Sequence, residues 1–131
     1  MATLEYQYQS VSHESLLKVI KWAQNTLNLR DWEIGLDTGP EIPRVLMPGR
    51  EDDYEGLARI HSHRLRALIW IPLDRLGPNN VNPIETCLHE MLHILVGGQG
   101  LDDDELLVRT ISPLIYRVYC HDNKIKVAKL K

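Results

Sequence analysis

The chain has 131 residues, 44% of them hydrophobic and 25% charged, which suits one ordinary globular domain and is too little chain for two. Its formal charge is −3, from 15 Lys+Arg against 18 Asp+Glu, and this argues against a nucleic-acid partner held by bulk charge. Two cysteines make no disulfide framework, the start Met1-Ala2-Thr3-Leu4-Glu5 has no secretory pattern, and no apolar run nears the roughly 20 residues of a membrane span, so the expectation is a soluble, cytoplasmic protein with no membrane partner.

Ser12 is a helix cap, and Leu16, Ile20, Ala23 and Leu27 behind it form one apolar stripe, which predicts a helix over 13–28. Alternation in Trp32-Glu33-Ile34-Gly35-Leu36 predicts a strand with one buried face. Residues 37–53, with three prolines and two glycines, read as a surface loop. Alternation returns over Gly56 to Ile60, and Ala67 to Ile71 is a second apolar run. The short polar link His61-Ser62-His63-Arg64 joins the two as an antiparallel hairpin. Asn82-Pro83-Ile84-Glu85 supplies a capping side chain, a proline at the first helical position and a glutamate at the third, and the helix it starts should run over 83–96 until Gly97-Gly98 closes it.

A last helix should begin near Asp102-Asp103-Asp104-Glu105 and continue through Leu107, Val108, Ile111, Leu114, Ile115 and Val118. Pro113 predicts a kink near 109–113 or two helices in succession. The lysine-rich end from Lys124 reads as a frayed tail or a short edge strand. The expected fold is α+β in a single domain over 1–131, with 1–11 and 122–131 peripheral: an N-terminal helix, a small, mostly antiparallel sheet of about three strands, and two C-terminal helices.

His89-Glu90-Met91-Leu92-His93 fits H-E-x-x-H and lies in the middle of the helix predicted over 83–96. Residues four apart share a helix face, so both imidazoles can reach one ion while Glu90 lies beside them. Two imidazoles and a carboxylate suit Zn2+ with a position left for water, whose proton Glu90 can take as general base. A third histidine by the metzincin extension is excluded, because Val96 and Gln99 stand where Gly and His are needed. The third ligand is therefore an acid of the next helix, Glu105 first for its reach and Asp104 second. Weaker candidates are Tyr116 and Tyr119 as hydrogen-bond donors to a developing oxyanion, Arg109 as a group that orients a carboxylate, and His61 with His63 as a second metal pair.

Taken together, Trp32-x-Ile34, Gly56-x-Ala58-x-Ile60, the strand Ala67 to Ile71, and Glu85-Thr86-Cys87-Leu88-His89-Glu90-Met91-Leu92-His93 resemble the small zincins of phages and bacteria, akin to SprT-like and ImmA/IrrE-type metallopeptidase domains. The resemblance runs from about 12 to 120, and its one highly specific element is the five-residue motif. It implies that His89, His93 and an acid of the following helix bind zinc, and that Glu90 is the general base. An E-x-x-A-D signature is not cleanly present, since Leu106-Leu107-Val108-Arg109 follows Glu105. The expected function is a zinc-dependent peptidase or amide hydrolase acting on a peptide or protein, alone or beside a partner protein. The alternative is a catalytically silent, zinc-stabilised binding or regulatory module.

Overall fold

The structure, a computed structural model, describes residues 11–43, 56–76, 79, 81–97 and 105–125. Helix α1 spans His13–Thr26, and its start is held by a reciprocal box: Ser15 N–H donates to Ser12 Oγ (3.1 Å) and Ser12 N–H to Ser15 Oγ (3.3 Å). Val19 joins Leu16, Ile20 and Ala23 on its buried face. The helix stops two residues before the expected end because Asn28 takes the left-handed conformation (φ 59°), letting Leu29 N–H reach back to Gln24 O (2.7 Å). Gln24 Nε2 then donates to Leu29 O and Trp32 O, tying this turn to strand β1, Glu33–Asp37.

Strand β2, Leu57–His61, turns through a single 3-10 turn, Ser62–Arg64, into β3, Arg66–Trp70, and Leu65 (φ 51°) completes the reversal. The sheet order is β1-β3-β2. The hairpin is antiparallel as expected, with Leu57 opposite Trp70 and His61 opposite Arg66. β1, however, runs parallel to β3, with Glu33 opposite Arg66 and Asp37 opposite Trp70, so the sheet is mixed and the mostly antiparallel expectation is corrected. The long connection from β1 through β2 returns the chain to the end where β1 began, which a tight turn cannot do. Trp70 is fully buried, and its Nε1 donates to Gly39 O (2.9 Å), which pins the chain just after β1 to the central strand.

Ile34, Leu36, Ala58, Ile60, Ala67 and Ile69 share one sheet face and meet the buried face of α1 and that of helix α3, Pro83–Gly97. That layer of apolar side chains is the core, each fully buried one contributing about 1.5–3 kcal/mol. The opposite sheet face carries exposed Glu33, Arg59, His61 and Arg66, of which Arg66 pairs with Glu33 (3.4 Å). A four-residue helix, α2, Leu73–Leu76, occupies part of a stretch with no predicted element; Pro72 O accepts from both Arg75 and Leu76, and buried Leu76 anchors it.

The start of α3 is as expected, with Asn82 Oδ1 accepting from Ile84 N–H (3.0 Å) and Pro83 at the first position. Helix α4, Glu105–Asp122, is a single helix through Pro113, so the two-helix expectation is corrected. Pro113 lies on the exposed face, where water can serve the Arg109 carbonyl that loses its partner. Residues 98–104, including Asp104 and the acidic run before Glu105, lie outside the described residues, as do the loop acids 51–55 and the chain beyond 125. Two residues expected in peripheral tails are bound to the body: Val11 packs on the core, and Asp122 Oδ2 accepts from Trp22 Nε1 (3.1 Å). Among the described residues no helix is long and apolar enough to cross a membrane.

Candidate metal centre

α3 presents two faces. Cys87, Leu88, Met91 and Ile94 point into the core and are fully buried, whereas Glu85, His89 and His93, spaced by four, look out toward α4. α4 packs on α3 and brings its first residue, Glu105, against both rings. His89 Nε2 lies 3.2 Å from Glu105 Oε1, and His93 Nε2 lies 2.8 Å from Glu105 Oε2. The imidazole centroids are 4.9 Å apart with planes at 71°. One ligand atom from each of the three residues lies within 4.8 Å of the others, a group that can hold a metal ion.

The donor set and spacing can be tested against zinc. Metal–ligand bonds of about 2.0–2.2 Å in a tetrahedron set donors about 3.3 Å apart, close to the His89–Glu105 separation of 3.2 Å, whereas the 2.8 Å between His93 and Glu105 would have to lengthen around an ion. Both histidines offer Nε2, and both rings are mostly shielded from water. Burial lowers the His89 pKa, opposed by the Glu105 charge and aided by His93, so the ring is kept neutral with a lone pair to give. For Glu105 burial acts upward, but His89, the Arg109 hydrogen bond and His93 outweigh it, and the carboxylate is held below its ordinary range. Arg109 Nε donates to Glu105 Oε1 (3.0 Å) from one turn along α4, the orienting contact read from the sequence.

Glu90 is 6% exposed and sits in the wall of the cleft in front of this cluster. The cleft has a volume of about 660 Å³ and is bounded by α3, α4 and the start of β2 at Gly56 and Leu57. Gly56 is needed there because a Cβ would come within 3.0 Å of Thr86 Cγ2 and 3.2 Å of Trp70 O, too close for the strand to lie on α3. Among the described residues β2 is an edge strand, and its start borders the cleft.

His89, His93, Glu105, Glu90 and Arg109 are thus brought together. Tyr119 is buried elsewhere, edge-on to Trp22 at 5.1 Å between centroids, and Tyr116 packs on the margin of the core; neither is among the cleft-lining residues. His61 and His63 are exposed, and among the described residues His89, His93 and Glu105 form the one metal-capable group. Cys87 is fully buried and its thiol is pushed upward by burial and by the Glu90 charge, so it stays protonated. Sequence reading missed Glu85 and Ser112 as cleft residues. The signal for the first was its place one turn before His89, and for the second its place two turns after Glu105. Compared with protein-family models, with curated proteins and with solved structures, the chain matches none.

Proposed function

We propose that this protein is a zinc-dependent peptidase or amide hydrolase, with His89, His93 and Glu105 as the ligands and Glu90 as the general base. The observation that carries the reading is the meeting of both Nε2 atoms with one carboxylate, beside a buried glutamate in an open cleft. A divalent ion held there supplies Lewis acidity, bringing water toward a pKa of about 7 and polarising a carbonyl. Glu90 accepts the proton of the attacking water and hands it to the departing amine, a role for which a carboxylate shielded from solvent is well suited. Arg109 holds Glu105 in the rotamer that faces the imidazoles. The side of β2 that is unpaired among the described residues would offer an extended peptide a backbone ladder, as the resemblance to small zincins also implies.

The test is metal content and turnover together. Protein purified without added metal should carry about one zinc per chain. Glu90→Gln should keep that zinc and lose about 10²- to 10⁴-fold in peptide hydrolysis. Zinc retained with hydrolysis unchanged in Glu90→Gln refutes the mechanism. A wild-type protein that binds zinc, gains stability from it and cleaves nothing supports the binding-module reading instead.

A further inference from the structure

Among the described residues, Glu85 is the one acid in the cleft that the metal centre does not use. It lies one turn before His89 on the same face of α3 and lines the same cleft. Its position, third in a helix capped by Asn82, has an ordinary structural use: the carboxylate folds back onto the backbone N–H of the cap. That bond is not made. Asn82 Oδ1 accepts from Ile84 N–H and, at 3.5 Å, from Glu85 N–H, but the Glu85 carboxylate makes no hydrogen bond or ion pair with any described residue. It is half-buried all the same, and burial alone raises its pKa.

The contrast with the other cleft charges is instructive. Glu105 is bonded by Arg109 and faces both imidazoles, and Arg109 has its Nε committed to Glu105. Ser112 of α4, which lines the same cleft, is 6% exposed, and its hydroxyl also makes no hydrogen bond with a described residue. A half-buried carboxylate and a buried hydroxyl that line one cleft, and that bond to no described residue, leave their polar atoms available to a ligand. The complementary group carries positive charge and several N–H donors.

We infer that Glu85, assisted by Ser112, is the specificity-determining residue of the cleft and selects peptides with a lysine or arginine side chain near the bond to be cut. This rests on the peptidase reading for its substrate class, yet it is a statement about binding and is testable without turnover. Zinc-loaded Glu90→Gln protein is titrated by fluorescence anisotropy with labelled peptides in which a single lysine is moved along an otherwise neutral sequence. Each has a glutamine counterpart, and the same pairs are offered to the wild-type enzyme for kcat/KM.

At one or two positions the lysine peptide should bind about tenfold tighter than its glutamine match. Adding Glu85→Gln should erase that ratio, and Glu85→Lys should reverse it toward a glutamate peptide, with zinc content unchanged and the protein still folded at the assay temperature. Ser112→Ala should reduce the ratio by a smaller factor. A lysine preference lost in Glu85→Gln without any cleavage upholds the subsite and overturns the hydrolytic reading. Cleavage with equal ratios in wild type and Glu85→Gln upholds hydrolysis and overturns the subsite, as does a zinc-loaded protein that binds no lysine peptide.

Discussion

The two faces of α3 differ in what they do for the molecule. The inner face, Cys87, Leu88, Met91 and Ile94, is completely dry and packs on α1 and the sheet. The outer face, Glu85, His89 and His93, keeps partial access to water and meets its main partner, Glu105, through polar atoms. A buried apolar side chain contributes by area and close packing, whereas a half-exposed polar one contributes little to folding and much to ligand binding. Stability and chemistry are therefore separable along one helix, at positions one or two residues apart.

The separation can be broken experimentally, starting where the effect is largest. His93→Ala removes a member of the metal-capable group, so on the zinc-hydrolase proposal zinc affinity should fall beyond the roughly 100-fold that loss of a supporting contact costs. Competition with a chromogenic chelator reads this, and the metal-free variant should melt close to the metal-free wild type; a collapsed apoprotein would show that the outer face also carries the fold. Met91→Ala should do the reverse. Deleting a fully buried side chain should cost about 2–5 kcal/mol in urea unfolding, with zinc stoichiometry kept in the folded fraction. Loss of zinc at temperatures where Met91→Ala stays folded would contradict it.

A smaller effect is expected at Arg109, whose side chain is 73% exposed. Arg109→Ala should weaken zinc binding by about tenfold, the low end for a group that only orients a ligand, and Arg109→Lys should not restore it fully because the guanidinium fork is lost. The smallest effect concerns pH. The folded pKa of His89 lies below its ordinary 6.5 and that of Glu105 below 4.5, so both bind fewer protons folded than unfolded. Stability of the metal-free protein should rise with pH, and be lost as pH falls from about 6.5 through those depressed values, opposed in part by Glu85, whose pKa is raised. Melting temperatures at pH 7, 5.5 and 4 under chelator should decline by a few degrees; a flat profile would refute the linkage.

Much of the fold was legible because it is local. Ser12 and Asn82 announce helix starts through amides two or three residues on and Pro83 through its own fixed φ, and the hairpin between β2 and β3 follows from alternation and a short link. Pro113 misled in part, since its cost depends on whether the freed carbonyl faces water, and that is a fact of packing. The parallel pairing of β1 was hidden for a similar reason: alternation shows which side of a strand is buried and is silent on the direction of its neighbour.

The sequence by itself determined that two imidazoles and a glutamate lie together on one helix, because a 3.6-residue repeat places residues 89 and 93 on one face wherever that helix goes. Only the tertiary structure decided that Glu105 reaches both rings, that Tyr119 is spent against Trp22, and that Glu85 faces the cleft instead of closing its own helix cap. Those outcomes turn on how α4 lies against α3, which is set by side chains meeting across the whole interface and is written in no single stretch of chain.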